Sequence, residues 1–203
     1  MEERKIELIL IMEMLGTVPK NKQIYSDFIV DKAIKKGIDV DDAEELETVQ
    51  ELDEKGFTGF HVDEGKLFLY DYVVKGNIKG NLETLIQSGT IKKIPSYKKA
   101  VDNMLFIFPR KLYFSNGSGS PVAKPHGILE RPLRAMTMLG PRVTLTKSEY
   151  VDIGTKIGFE VKILPNPKIT WEVVEKALDY GQYVGLGQWR GSGGYGRYIW
   201  RYV

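Results

Sequence analysis

Apolar and polar positions alternate or cluster along the chain in ways that predict both strands and helices. Residues 5–13 (KIELILIME) are apolar at nearly every position, with Glu7 and Glu13 as exceptions, which is typical of a central strand covered on both faces. Residues 157–163 alternate strictly, and this pattern predicts a strand with one buried face. The buried positions of that strand should be Ile157, Phe159, Val161 and Ile163.

Further strands follow from short apolar runs bounded by turn residues. Residues 57–62 and 66–72 read as a hairpin turning at Asp63-Glu64-Gly65. Two more runs, 104–108 and 111–114, have strand character, and a Gly/Ser-rich loop at 115–120 follows them. Arginines interrupt the apolar run 128–145.

Four stretches have the spacing of helices. Residues 21–36 end at Gly37, and residues 39–55 form an acidic helix with a narrow apolar stripe, predicted as an insertion over 38–56. A helix to Gln87 should begin after Gly76 with Asn77 as N-cap. The last helix should run over 171–180, between Thr170 as N-cap and Gly181 as C′ residue.

The final stretch, residues 183–202 (YVGLGQWRGSGGYGRYIWRY), is rich in glycine, aromatic residues and arginine. β-Forming residues at 181–184 and 195–203 flank the glycines. These features predict two strands joined by a glycine loop, with Trp189 and Arg190 exposed at its tip. The guanidinium group of arginine can donate two hydrogen bonds to a phosphate, and aromatic rings can stack on bases, so the loop is a candidate nucleic-acid-binding site. The alternative is a flexible loop that binds no ligand.

The order of the predicted elements favours one fold class. We expect a single α+β domain over residues 1–203, with a ferredoxin- or RRM-like antiparallel sheet and helices on one face. The acidic helix and the C-terminal glycine-rich loop would be additions to that core.

Composition narrows the class of protein. The chain has 203 residues, of which 42% are hydrophobic and 28% charged, and none is cysteine, so disulfide and thiolate chemistry are excluded. No apolar run is long enough to span a membrane, and the charged start predicts no signal peptide. We therefore expect a cytoplasmic protein without membrane contact.

The net charge of +2 conceals two regions of opposite charge. Residues 1–65 contain 8 Lys/Arg and 17 Asp/Glu, whereas residues 66–203 contain 21 and 10, which gives −9 and +11. A basic region with interleaved aromatic residues predicts a polyanionic partner. The acidic region could face the basic surface of a neighbouring copy; solvated surface is the alternative for both.

Three stretches together resemble the RAMP superfamily, which includes the backbone subunits of CRISPR effector complexes. GNIKGNLET (76–84) is similar to the family's glycine–lysine segment that opens a helix, and GLGQWRGSGGYGRYIW (185–200) matches its glycine-rich loop. Residues 130–164 are similar to the family's central run from arginines to a strand. The resemblance covers about residues 73–88 and 128–203 with the opening strand.

The resemblance implies an RRM-like protein whose copies line up along single-stranded nucleic acid, with RNA expected rather than DNA. Such a protein would belong to a CRISPR system, or would be a stand-alone relative or one encoded by a virus or phage. The early aspartate-containing loop of the RNA-cleaving subunits is not found, so we expect a non-catalytic protein. The nucleic-acid-binding residues that we predict are Lys75, Asn77, Lys79, Lys124, Arg131, Arg134, Arg142, Gly187, Trp189, Arg190, Tyr195 and Arg197.

Two alternatives stay open at this point. A metal-independent endoribonuclease could use His126 as acid–base residue, with Lys124 or Arg131 stabilising charge on the phosphate. A structural or partner-binding viral protein could dock another protein on the acidic helix 39–55. We predict no metal, since the carboxylate-rich stretch 39–54 has the periodicity of a helix and lacks the glycine spacing of a calcium-binding loop. We predict no cofactor, since the glycine loop lacks the Gly-Lys-Ser/Thr of a P-loop and runs into a strand.

Overall fold

The computed structural model describes residues 1–20, 57–137 and 140–203, with residues 133–137 and 140–144 described by their backbone alone. The helices predicted at 21–36 and 39–55 lie outside the described residues. Within the described part, three α-helices and two β-sheets form a mixed α+β fold.

The strands and helices have the following bounds. The strands are β1 (Glu2–Leu10), β2 (Met14–Leu15), β3 (Val18–Pro19), β4 (Phe57–Gly59), β5 (His61–Asp63), β6 (Lys66–Tyr70), β7 (Leu105–Phe108), β8 (Lys111–Ser115), β9 (Gly127–Thr137), β10 (Gly140–Val151), β11 (Lys156–Ile163) and β12 (Tyr198–Tyr202). The helices are α1 (Asp71–Gln87), α2 (Tyr97–Met104) and α3 (Trp171–Val184), and a 3₁₀ turn spans Gly191–Gly193.

The main sheet has the strand order β12-β1-β11-β8-β6-β5, and β7 pairs with the second half of β11. All of its pairs are antiparallel. The interior position predicted for β1 is confirmed, because the strand lies between β12 and β11. The prediction that both of its faces are covered is wrong: Ile6, Leu8 and Leu10 are buried, but Glu7 and Ile9 on the opposite face are only half-buried.

The core lies between this sheet and helices α1 and α3, which pack against each other. The predicted alternation of β11 is confirmed, since its inward residues are buried while Glu160 and Lys162 remain half-exposed. Helix α1 contributes Ile78 and Leu82 to the core, and α3 contributes Val174. Burying each such aliphatic side chain stabilises the fold by about 1.5–3 kcal/mol.

Helix α1 begins at Asp71, six residues before the predicted N-cap. The Asp71 carboxylate accepts a hydrogen bond from the Tyr72 N–H and pairs with Arg110, so the first turn is stabilised there. Gly76 and Asn77 therefore lie inside the helix. Among the described residues, a Cβ at Gly80 would meet nothing within 4 Å outside the helix's own backbone, so no close approach of a second described segment explains that glycine.

Helix α3 begins as predicted, with the Thr170 hydroxyl accepting a hydrogen bond from the Val173 N–H. Its predicted end at Gly181 is wrong, because the helix continues to Val184 and Gly185, at φ 83°, is the C-cap. Gly181 is required for a different reason. The Tyr198 hydroxyl passes so close that a Cβ on Gly181 would overlap it.

The second sheet contains β2, β10, β4 and β3, and β9 pairs with β10 along eleven residue pairs. The first strand of the predicted hairpin is split at Phe60: β4 joins this sheet in parallel with β10, and β5 pairs with β6 in the main sheet. The arginine-rich run is thus a long hairpin. Helix α2 is an element that we missed before β7.

Candidate functional site

The glycine loop is folded back onto β2 rather than projecting as an open hairpin. The Gly196 N–H donates to the Glu13 carbonyl (2.7 Å), and the Leu186 N–H donates to the Gly196 carbonyl (2.9 Å). A Cβ on Gly187 would lie 2.6 Å from the Leu15 oxygen, and a Cβ on Gly196 would overlap the Leu186 carbonyl. These glycines allow backbone to pack on backbone and so anchor the loop.

The outer part of the loop is less constrained. Gly191 and Gly194 have positive φ angles of 68° and 77°, and a Cβ on either would meet nothing within 4 Å in the part of the chain that the structure describes. Trp189 precedes them with φ 54°, which is a strained conformation for a bulky residue. The loop therefore has a base fixed by backbone packing and a tip at which Gly191 and Gly194 have open space around their Cα atoms among the described residues.

Trp189 is 39% exposed, and its ring stacks on the Arg131 guanidinium with a distance of 4.1 Å from Cζ to the ring centroid. The exposure that we predicted is thus confirmed in part. The ring is held at the edge of the second sheet, because Arg131 belongs to β9 and Gly193 stands against the Trp189 side chain. A cation over an indole face is a favourable contact.

Arg131 is a charged residue that is buried, which sets it apart from the other charged residues in the described part of the chain. The residue is only 8% exposed, and Nη2 donates to Ser148 Oγ (3.1 Å). Nε and Nη1 are buried and find no hydrogen-bond partner among the described residues. Burial lowers the pKa of the guanidinium below its ordinary value, yet an arginine stays protonated in a protein. The site thus contains a buried cation without a carboxylate partner among those residues.

Three neutral side chains complete the site beside Arg131. The Ser148 and Thr58 hydroxyls lie 2.9 Å apart, and both reach Gln188 Oε1, at 3.3 and 3.2 Å. Because the Ser148 and Thr58 hydroxyls both donate to Oε1, the Gln188 amide group is held in one orientation. Gln188 also bridges to Leu15, which joins the glycine loop to β2. We missed Thr58, Ser148 and Gln188, since three distant parts of the chain supply them.

This arrangement presents donors and an aromatic face without a negative charge among the described residues. An unpaired buried cation costs several kcal/mol, and buried polar groups normally have partners. Ser148 takes one hydrogen of Nη2, so one complete two-donor fork of the guanidinium remains. Such a fork matches the oxygens of a phosphate or carboxylate. The site is therefore suited to an anion.

The residues predicted on helix α1 do not belong to this site. Asn77 is 3% exposed: Nδ2 donates to the Gly185 carbonyl (2.8 Å), and Oδ1 accepts from Asn81 and from the Tyr198 hydroxyl. The prediction that Asn77 binds nucleic acid is wrong, because its amide is used inside the protein to hold the start of the glycine loop.

Lys75 and Lys79 also lie in the body of α1 rather than at its N-terminus. Lys75 Nζ donates to the Asp102 carbonyl (3.0 Å), and Lys79 pairs with the Asp102 carboxylate (2.6 Å). Burial lowers the pKa of Lys75. Both lysines tie α1 to α2, so the helix-terminus argument for anion binding does not apply to them.

Lys124 and His126 are exposed just before β9. His126 Nδ1 accepts a hydrogen bond from the Asp152 N–H (3.1 Å), and the His126 N–H donates to the Tyr150 carbonyl (2.9 Å). Arg131 lies five residues after His126 along an extended segment, which is a distance of about 16 Å. His126 and Arg131 are thus not brought together, and the endoribonuclease alternative stays a prediction.

The remaining predicted residues lie close to the loop or outside the described side chains. Arg190 is exposed, Tyr195 is half-buried, and its N–H donates to the Trp189 carbonyl (3.3 Å). Arg197 is half-buried, with Nε donating to the Gln182 carbonyl (3.4 Å). The side chains of Arg134 and Arg142, on β9 and β10, lie outside those described.

Over residues 1–20, 57–137 and 140–203, no group of three or more His, Asp or Glu is placed to hold a metal ion. None of the helices described there is long and apolar enough to cross a membrane. Comparison of the chain with protein-family models and with curated proteins gives no match.

Proposed function

We propose that this protein binds single-stranded nucleic acid, with a backbone phosphate held by Arg131 and a base stacked near Trp189. The observation that carries the proposal is the buried Arg131 guanidinium, whose Nε and Nη1 have no partner within the described residues. A phosphate group would supply acceptors for the remaining two-donor fork of the guanidinium and the missing negative charge.

Two further properties favour nucleic acid over a small isolated anion. Trp189 offers an aromatic surface beside the cation, and aromatic–base stacking is the usual means of holding single strands without sequence preference. Arg190 is exposed next to it, and residues 66–203 carry 21 Lys/Arg against 10 Asp/Glu. An extended polyanion can contact several of these charges at once.

The order of strands and helices supports a relationship to the RAMP superfamily. The path β1-α1-β7-β11-α3-β12 is strand, helix, strand, strand, helix, strand, and these strands lie in the order β12-β1-β11-β7. This connectivity and order support the proposal of a ferredoxin- or RRM-like core, to which the other strands and helix α2 would be additions. The glycine loop lies between the last helix and the last strand. We propose a non-catalytic RAMP-like protein whose copies assemble along one strand.

Fluorescence anisotropy with labelled single-stranded RNA and DNA at low salt tests the binding. Arg131→Met should weaken binding about tenfold or more, because it removes a charge-assisted contact. Arg110→Met is the matched control, since Arg110 is exposed and paired with Asp71 at 2.6 Å; it should change affinity less than about twofold. Absence of binding by the unmodified protein, or equal losses in both variants, would reject the proposal.

Assembly along the strand has its own measurement. In analytical ultracentrifugation, oligonucleotides of increasing length should bind an increasing number of protein copies. A stoichiometry of one copy at every length would leave nucleic-acid binding intact and reject the assembly.

A further inference from the structure

Access to Arg131 is limited by the residue that stacks on it. Nε and Nη1 of Arg131 are buried, and the Trp189 ring covers the guanidinium at 4.1 Å. An incoming oxygen can reach these nitrogens only after some part of this cover moves. Trp189 is the half-exposed part, at 39%.

The loop is built so that Trp189 can move without the rest of the fold. Its base is anchored by backbone packing at Gly187 and Gly196, whereas a Cβ on Gly191 or Gly194 at the tip would meet no described atom within 4 Å. Among the described residues, the backbone of the tip is held only by short-range hydrogen bonds, from the Gly194 N–H to the Gly191 carbonyl and from the Tyr195 N–H to the Trp189 carbonyl. The φ of 54° at Trp189 is a strained state that a change in the tip would relieve. The backbone packing that holds the base of the loop therefore does not extend to Gly191 and Gly194 at its tip.

Moving the ring has a cost that depends on the ligand. When Trp189 leaves the guanidinium, it loses its cation–π contact and exposes an apolar face. A phosphate alone satisfies Arg131 but gives the ring no new partner. A phosphate with a neighbouring base satisfies Arg131 and also stacks on the displaced ring.

We propose that Trp189 is a movable cover of the Arg131 phosphate site, and that it restricts the site to phosphates that carry an adjacent base. This inference rests on the proposed function and specifies its ligand: a polyanion lacking bases is a poor ligand even at equal charge. Trp189 acts here both as cover and as stacking surface.

Two single-stranded DNA oligomers of equal length and charge test the cover, one of thymidines and one of abasic sites. In anisotropy titrations, the unmodified protein should bind the thymidine oligomer about tenfold more tightly than the abasic one. In Trp189→Ala this ratio should fall to near one. The abasic oligomer should also bind Trp189→Ala more tightly than it binds the unmodified protein, because Arg131 is uncovered.

The rise in abasic affinity separates a cover from a simple contact. Equal binding of both oligomers by the unmodified protein overturns the base requirement, while the proposed function survives. A loss of affinity for both oligomers in Trp189→Ala overturns the cover. No binding of either oligomer by the unmodified protein rejects the proposed function itself.

A second variant keeps the test valid if Trp189→Ala does not fold. Trp189→Leu retains an apolar cover and removes the π face, so it should lose the preference for thymidine without gaining affinity for the abasic oligomer. Retention of the full preference in Trp189→Leu contradicts the inference.

Discussion

At the scale of single residues, Arg131 is held in a state that lowers stability in the absence of a ligand. An unpartnered buried charge is a cost to folding, and replacing buried ionic groups by apolar side chains of similar size is often neutral or stabilising. Replacing Arg131 by an apolar side chain also removes its hydrogen bond to Ser148 and its stacking contact with Trp189. These losses offset part of the stability gained by removing the buried charge.

We therefore expect Arg131→Met to raise the free energy of unfolding by about 1–2 kcal/mol in the ligand-free protein. For a domain of this size, the melting temperature should rise by roughly 2–8 °C, measured by calorimetry. Arg110→Met, at an exposed ion pair, should change it by less than about 2 °C. A marked drop in the melting temperature of Arg131→Met would mean that its buried nitrogens have partners.

Trp189 differs from a core tryptophan in that its removal should leave folding almost unchanged. The side chain is 39% exposed and its backbone is strained, so Trp189→Ala should shift the free energy of unfolding by less than about 1 kcal/mol. Trp171, 7% exposed, is the control: its replacement by alanine should cost about 3–5 kcal/mol. Similar losses in both variants, measured by urea unfolding, would identify Trp189 as a core residue.

At the scale of elements, the glycines of the loop fall into two groups with different physical roles. Gly191 and Gly196 share a φ of 68° and differ in their surroundings. Replacement of Gly191 by alanine should cost about 1–2 kcal/mol, the penalty of a left-handed backbone alone. Replacement of Gly196 adds an overlap with the Leu186 carbonyl, so the total should reach about 3 kcal/mol or more.

The pair Gly191→Ala and Gly196→Ala thus measures how firmly the loop is anchored, by thermal unfolding of both variants. Equal destabilisation would contradict the distinction between a fixed base and a free tip. It would also remove the basis for a moving Trp189.

The contact between β12 and helices α1 and α3 depends on Tyr198, whose hydroxyl donates to Asn77 Oδ1 (3.1 Å). Burial raises the pKa of Tyr198 well above its ordinary value of 10.0. The folded state then keeps the phenol proton at a pH at which the unfolded state releases it. The stabilisation is present below about pH 10 and is lost as the pH rises further.

Comparison with Tyr198→Phe isolates this effect. Near pH 8 the variant should be less stable by about 1 kcal/mol, the value of one hydrogen bond. Above about pH 10 the difference should shrink or reverse, because phenylalanine has no proton to lose. A constant difference in the free energy of unfolding across this range would show that Tyr198 is not buried as described.

How far these elements follow from sequence depends on whether local or distant contacts decide them. The alternation of β11 and the Thr170 N-cap are local patterns, and both predictions are confirmed. Gly181 resembles a helix end, but its position is decided by the Tyr198 hydroxyl, seventeen residues away. The polar site could not be predicted either, since Thr58, Ser148 and Gln188 meet only through the pairing of β2, β4 and β10.

At the scale of the whole molecule, the basic character of residues 66–203 sets how binding should respond to salt. Phosphate contacts release counterions, so the logarithm of the binding constant should fall linearly with the logarithm of salt concentration. About three phosphate contacts, at Arg131, Arg190 and Arg197, predict a slope of roughly −2 for a single strand. A slope near zero would mean that charge does not contribute.

The contribution of one charge can be read from this slope. Arg190 is exposed beside the site, so Arg190→Ala should reduce the slope by roughly one unit. Arg201→Ala is the matched control: Arg201 is exposed on β12 and pairs with Glu7 (2.6 Å), and its removal should leave the slope unchanged. Anisotropy titrations at several salt concentrations measure both. The two arginines differ in that Arg190 lies on the glycine loop and Arg201 does not. If Arg201→Ala changes the slope as much as Arg190→Ala does, the nucleic acid is bound by the general positive charge of the protein rather than along the glycine loop.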